Sequence, residues 1–512
     1  MDKQTIRTLQ DLVTASADEY GERVFLKEVH GKAVAEYSFR AFCEDVQRMT
    51  AFVNAARTGV HPLHAAVIGA SSYAWLVSYF GTVCGGNAAV PLDAQLGCAD
   101  ICELLNRSDS EIFFYDSRYE AMIPQIRQSC PAVRVYVNFG KDLTRILAEN
   151  VPEAFPPVEP QALAAISYTS GTTGKSKGVM LLHSNLVDNA MCQDNESTPD
   201  DVVLSVLPIH HIYCFTCDIL CSLRYGAQLC LNDSMLHIPR SLKLFRPTIM
   251  LIVPMIAETM YKQIRAAASA KPELPLAAIA GAAFGGRLHT IYSGGAYLRP
   301  ELQKAYVDMG IRMAQGYGMT ECSPRISTAD PSDTSFAGDV GIIVNGCQVK
   351  TEDGELMVKS PSVMAGYYKD PEATAEALTP DGWLHTGDLG YVDSQNRIFI
   401  TGRKKNLIIL SNGENVSPEE LENKFAGVDY IAEVLVYMED NVICAEIFPE
   451  QNVCAAWSAQ DLERRFHETV DAINRTVPSA KAIRRLRIRE TEFDKTTSKK
   501  LRRSQAEQGR QV

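Results

Sequence analysis

The chain has 512 residues, of which 46% are apolar and 22% charged, and a formal net charge of −12. That length exceeds one ordinary core and predicts two or more domains, and the composition excludes a disordered or fibrous class. The acidic balance argues against nucleic acid as the main partner.

From the start, Met1 to Tyr20 alternates charged and apolar residues at helical spacing and carries no hydrophobic signal core. The residues about Leu12-Val13 and from Tyr37 to Ala55 are predicted amphipathic helices. Ala65–Gly69, Ala89–Asp93 and Glu111–Tyr115 read as short buried strands. The most apolar window, 65–92, is interrupted by glycines, serines and Asn87, which predicts a buried helix between strands and no membrane span. Strands alternating with helices predict a mostly parallel sheet covered on both faces. Fourteen cysteines without an export signal are expected as reduced thiols of a cytosolic protein.

A linker with four prolines, Pro152 to Pro160, runs into the strand Ala162–Ser167. Tyr168 to Val179 follows as a loop, with a second strand at Val179–Leu182. In the loop Gly171, Gly174 and Gly178 interleave with Thr169, Ser170, Thr172 and Thr173, and with Lys175 and Lys177. Glycine lets backbone N–H groups approach a ligand closely, and the hydroxyls and lysines add donors and positive charge. Together they suit a polyphosphate. A Walker A loop is excluded, because Thr169 stands where that pattern needs its first glycine.

Strands are next predicted at Asp201–Pro208, Thr248–Val253, Leu288–Tyr292 and Ile311–Ala314. The first leads to His210-His211; Cys214, Cys217 and Cys221 follow at helical spacing, without the second Cys/His pair of a zinc site. The third ends on Ser293-Gly294-Gly295-Ala296, where adjacent glycines admit close backbone approach. The fourth runs into Gln315-Gly316-Tyr317-Gly318-Met319-Thr320-Glu321. An aromatic between glycines is free to lie on a purine, and a hydroxyl and carboxylate just after it suit phosphate and Mg²⁺.

Gly354–Val358 and Ile398–Ile400 read as β, around Asp388 on a glycine-bounded loop whose carboxylate can accept both ribose hydroxyls. Ser417 is the predicted N-cap, and Pro418 the first residue, of a later helix. Lys481 to Arg503 carries ten basic and three acidic residues, expected as a solvated helix face and tail.

The Tyr168–Val179 stretch closely resembles the phosphate-binding signature of the adenylate-forming superfamily, which holds acyl-CoA synthetases, luciferases and peptide-synthetase adenylation domains. The later motifs follow in that family's order over nearly the whole chain. The resemblance implies an α/β fold: a large N-terminal domain of doubly wound mixed sheets with a small β-barrel subdomain, residues 1–402. A smaller mobile α+β domain, residues 403–512, would carry the hinge Lys405 and the catalytic Lys500.

It also implies roles. Thr169, Ser170, Gly171, Thr172, Thr173, Gly174 and Lys175 would hold the ATP phosphates, and Thr169 and Glu321 would fix Mg²⁺. Gly294, Gly295, Ala296, Gln315, Gly316, Tyr317, Gly318, Met319, Asp388 and Arg403 would bind the nucleotide. Thr320 would act beside Glu321 in catalysis, and His211 would lie near the carboxylate substrate. Ser411, Asn412, Gly413 and Glu414 would line the pantetheine tunnel.

No aspartate lies in Ile209 to Thr216, so an amino-acid substrate is not expected. Lys499 stands where the family has glycine, and Asn406 where an acidic residue is common. The implied activity is ATP-dependent activation of an aliphatic acid, then transfer to CoA. The alternatives are transfer to the phosphopantetheine of an acidic acyl carrier protein, and a silent nucleotide-binding relative.

Overall fold

The computed structural model describes residues 5–59, 61–169, 176–192, 197–410, 415–495, 501 and 503. They form two compact units, Met1–Val349 with Val358–Leu384, and Lys350–Met357 with His385–Val512. The class is the expected mixed α/β fold.

The first unit holds two large sheets. A seven-stranded sheet has Ala88–Leu92, His64–Ile68, Ser110–Tyr115 and Val135–Asn138 as parallel neighbours. Leu163–Thr169 joins it in parallel, and Lys177–Leu182 then pairs antiparallel with Leu163–Thr169. Val, Ile and Phe on both faces of these strands fit a sheet covered on each side. The helix Tyr73–Val83 is buried almost all round, as the 65–92 window predicts. Around it Phe39, Phe42, Trp75, Tyr79 and Phe80 are fully or nearly fully buried. Phe42→Ala there would cost about 3–5 kcal/mol.

The nine-stranded sheet runs Ile342–Ile343, Arg325–Thr328, Arg312–Gly318, Thr290–Gly294, Ile249–Ile252, Val202–Ser205, Gln228–Leu231, Val24–His30, Ala33–Ser38. From Arg312–Gly318 to Val24–His30 every pairing is parallel. Tyr37 belongs to the last of these strands, and the helix predicted from Tyr37 begins at Phe39, because Ser38 caps it by accepting the Ala41 N–H.

In the second unit a four-stranded sheet runs Gln348–Glu352, Glu355–Lys359, Leu384–Val392, Ile398–Arg403. A three-stranded sheet follows. Ile431–Glu439 and Val442–Pro449 form a hairpin whose turn, Asp440-Asn441, has positive φ at both residues, as a type I′ turn requires. Val436, Ile447, Phe466, Val470 and Ile473 build the core between this sheet and the helix Ala459–Asn474. Part of the basic segment is the strand Arg485–Ile488, parallel to Val442–Pro449, so the helix-face expectation fails there. Arg485, Arg487 and Arg489 alternate with Leu486 and Ile488, a period of two that marks a strand. Among the described residues no helix is long and apolar enough to cross a membrane.

Candidate active site

Four adjacent parallel strands, Val202–Ser205, Ile249–Ile252, Thr290–Gly294 and Arg312–Gly318, end at the same edge of the nine-stranded sheet. His211, Gly294 to Ala296 and Gln315 to Glu321 all lie at or just beyond those carboxyl ends. Ligands of open α/β sheets bind in the crevice outside such ends.

Gly294 pairs with Gly316 across the two central strands. A Cβ on Gly294 would stand 3.1 Å from Cζ of Tyr213, so the missing side chain seats that ring. The Tyr213 hydroxyl donates to the Tyr292 carbonyl at 3.3 Å. A Cβ on Gly318 would fall 2.1 Å from the Pro324 carbonyl oxygen, so only glycine fits where the chain doubles back. Tyr317 is buried, 9% exposed, in the strand between these glycines.

Thr320 and Glu321 sit in a short 3₁₀ turn, with Glu321 buried. Glu321 Oε1 accepts the Tyr367 hydroxyl at 2.9 Å. The Tyr367 ring also carries the Lys177 ammonium 4.8 Å from its centroid. Lys177 leaves the glycine-rich loop beside Thr169, its ladder partner across the antiparallel pair. The loop thus bridges a β-hairpin, and its exit meets Glu321 through Tyr367. Residues Ser170, Gly171, Thr172, Thr173, Gly174 and Lys175 lie outside the described residues, as do Ser411, Asn412, Gly413, Glu414 and Lys500.

A Mg²⁺ ion would need anionic oxygen, and Glu321 fits that need: one oxygen is held by Tyr367, and the other has no hydrogen bond among the described residues.

His211 is exposed, and its Nδ1 accepts the Tyr213 N–H at 3.2 Å, capping the helix it begins. The neighbouring His210 faces Asp93 at 3.8 Å, and burial holds its imidazole below the usual range. The helical run from Ile212 widens into a π-helix at Phe215–Leu220, a feature frequent at functional sites. There Asp218 is buried; Ser205 donates to Oδ2 at 2.8 Å, while Oδ1 has no hydrogen-bond partner among the described residues. Burial raises this carboxyl to about 7. Arg325 is buried, and its Nη2 lies 3.7 Å from the sulfur of Cys221 in the same run.

The second unit brings together two more of the predicted residues. Asp388 and Arg403 are ladder partners, and Arg403 Nε donates to Asp388 Oδ1 at 2.7 Å. Asp388 is 3% exposed. Glu355 braces the same loop, accepting Lys404 Nζ at 2.8 Å and the Gly387 N–H at 3.0 Å. Its carboxyl is buried, which raises its pKa, yet Lys404, Gly387 and His385 hold it below the ordinary range. Lys405 is exposed, and Asn406 donates to Glu419 Oε1 at 2.5 Å.

Tyr367 and Glu355 were not among the sequence-predicted site residues. Each meets its partner from 30 or more positions away, and no local pattern marks them.

A family model of AMP-binding enzymes matches residues 13–368, and one of the AMP-binding enzyme C-terminal domain matches 405–509. The peroxisomal long chain acyl-CoA synthetase 6 of Arabidopsis thaliana is 32% identical over 360 residues, 60% of this chain and 51% of that protein. The 4-coumarate-CoA ligase 1 of Narcissus pseudonarcissus is 32% identical over 317 residues, 57% of this chain and 55% of that one. The chain thus spans about half the length of these curated relatives. The structure of ATP-bound MatB from Rhodopseudomonas palustris superposes with a TM-score of 0.83 at 22% identity, over 98% of both chains, a likeness of fold.

Proposed function

The chain belongs to the AMP-binding enzyme family, and from that premise we propose that it is an AMP-forming carboxylate–thiol ligase acting on an aliphatic acid. One observation carries the reading. Tyr367 joins the exit of the glycine-rich loop, at Lys177, to the buried carboxylate of Glu321. A phosphate-holding loop beside a metal-ready carboxylate is what attack on a nucleotide phosphate needs.

In the first half-reaction a carboxylate oxygen attacks the α-phosphorus of ATP, and the bond to the β-phosphate breaks, releasing pyrophosphate. Charge grows on the phosphate oxygens and the leaving group. Lys175, Lys177 and the loop N–H groups would stabilise it, with Lys500 bridging carboxylate and α-phosphate. Mg²⁺, held by Glu321 and Thr169, would supply further positive charge. Asp388 would take the ribose hydroxyls, oriented by Arg403, and Tyr317 with Gly316 would border the purine. In the second half-reaction a thiolate attacks the acyl carbon and AMP leaves. Lys405 would be the pivot between residues 1–402 and 403–512, and Ser411 to Glu414 would line the thiol's path.

CoA is the proposed acceptor. The rival acceptor, an acidic carrier protein, draws on the basic C-terminal segment, much of whose charge is matched internally. Arg485 and Arg487 pair with Glu439, Arg489 with Glu446, and Lys481 with Glu420. The acid class rests on the relatives named for long-chain acids; a 4-coumarate ligase among the matches makes an aryl acid the comparison substrate. The cytosol is the proposed compartment.

The test is product analysis with ATP, Mg²⁺, CoA and a series of acids. Acyl-CoA and AMP in equal amounts are expected with aliphatic acids; ADP, or turnover with aryl acids alone, contradicts the proposal. Lys500→Ala should abolish adenylate formation and keep thioester formation from supplied acyl-AMP. Loss of both together contradicts the two-step assignment.

A further inference from the structure

The helix Ile238–Phe245 and the turn Met235–His237 before it present a face that the chemistry above does not use. Ile238, Ser241, Leu242 and Phe245 turn inward and are buried. The outward positions carry Leu236 at 88% exposure, Leu244 at 47% and Met235 at 46%. Arg240 and Leu244 are four apart on one side of the helix, and Leu236 lies exposed in the turn before it. A leucine so open to water at the tip of a turn is unusual when other apolar residues flank it. Ser234 fixes that turn by accepting the Leu236 N–H at 3.4 Å.

The charge of this face is one-sided. From Leu236 to Ala257 the sequence contains no acidic residue and holds His237, Arg240, Lys243 and Arg246. Asp233 is the near carboxylate, and it is taken by Arg240 at 3.0 Å and His237 at 2.9 Å. Glu36, which lines a shallow groove with Leu244, is paired with Lys27 at 2.7 Å. Lys243, Arg246 and the exposed Arg287 near it have no ion pair among the described residues. Arg246 Nε donates to the Gly285 carbonyl at 3.1 Å. Uncompensated cations therefore flank exposed leucines, on a chain whose net charge is −12.

We propose that residues 235–246 form an interfacial anchor that seats the first unit on an anionic lipid surface. Leu236, Leu244 and Met235 would enter the headgroup–acyl boundary, and Lys243, Arg246 and Arg287 would meet lipid phosphates. A basic amphipathic helix binds in this way through apolar burial and attraction to anionic headgroups acting together. The anchor lies on the surface and needs no spanning segment.

The experiment is co-sedimentation of the full chain with vesicles of phosphatidylcholine, alone or with one part in three phosphatidylglycerol. The chain should bind the anionic vesicles on the order of tenfold or more tightly than the neutral ones, with the difference falling as salt rises. Leu236→Glu with Leu244→Glu should weaken binding to anionic vesicles about 100-fold, near tenfold for each leucine. Lys243→Gln with Arg287→Gln should cut most of the lipid-charge preference and flatten its salt dependence. Both pairs lie on the exposed face, so melting temperature and adenylation should match the parent chain. A parent chain that stays in the supernatant with both vesicle types, as a protein-docking face would, overturns the proposal. So does a leucine variant that sediments like the parent.

Discussion

Three buried charged groups of the first unit are held by neutral groups. Glu321 leans on a tyrosine hydroxyl, Asp218 on a serine hydroxyl, and Arg325 on Asn189 and the Cys221 sulfur at 3.7 Å. In the second unit charges meet charges: Asp388 with Arg403, Glu355 with Lys404, Glu439 with Arg485 and Arg487, Glu422 with Arg503. A buried charge without a countercharge is costly unless a ligand supplies one or a proton removes it. The strand ends of the first unit therefore have the electrostatics of a place built to receive charge. The second unit is largely self-neutralised, which leaves Asp388 and Arg403 as a preset pair and the basic strand as a structural element.

Asp218 breaks or sharpens this contrast most strongly. Burial pushes its carboxyl up to about 7, well above the ordinary carboxylate range near 3.8. Between those values the folded state keeps a proton that the unfolded state has lost, so stability falls as pH rises through this window and is level above it. The difference amounts to about 4 kcal/mol at most. Asp218→Asn should remove it, seen as a melting temperature that gains on the parent steadily from pH 4 to pH 7. Two parallel pH profiles would mean that Asp218 has a countercharge after all. His183 works in the opposite sense, since burial lowers it to about 4, but it is common to both proteins and cancels in the comparison.

Asp388→Ala comes next. Loss of the proposed charge-assisted contact to the ribose, together with the stranded Arg403, should lower kcat/KM for ATP about 100-fold. Arg403→Ala on that background should add little, because the two act as one unit. Full additivity would place them in separate roles.

Tyr367→Phe removes only the hydroxyl that holds Glu321. A fall in kcat of about tenfold is expected, with KM for the acid unchanged and the Mg²⁺ requirement shifted upward. An unaltered Mg²⁺ titration would separate Glu321 from the metal. The smallest effect belongs to Arg485→Ala with Arg487→Ala. These solvent-screened pairs add little to stability, and KM for CoA should not move. A tenfold rise in that KM would return the basic strand to the role of a docking surface.

Much of this was legible in the sequence because its signals are local. The buried helix Tyr73–Val83 shows as an apolar run between strands, and Ser417 caps the helix opened by Pro418, accepting the Glu420 N–H. The residues at the strand ends were legible through motif order. The positioning contacts were not. Tyr367 to Glu321 and Glu355 to Gly387 depend on which strands become neighbours, and strand order leaves no local trace. The parallel pairing of Val24–His30 with Gln228–Leu231 joins residues 203 positions apart, Leu26 with Leu229, in the same way. The Lys481–Arg503 segment misled for a different reason: its charge drew attention from the alternation of Arg485 to Arg489, which marks a strand whose arginines are matched by Glu439 and Glu446.

Pyrophosphate–ATP exchange dependent on added carboxylic acid tests the central claim most directly, because it requires adenylation and no thiol. The account predicts Mg²⁺-dependent exchange with an aliphatic acid, abolished by Lys500→Ala and reduced by Asp388→Ala. Absence of exchange with every short, medium, long and aryl acid, in a chain that still binds ATP, would contradict it and leave a nucleotide-binding protein without this chemistry.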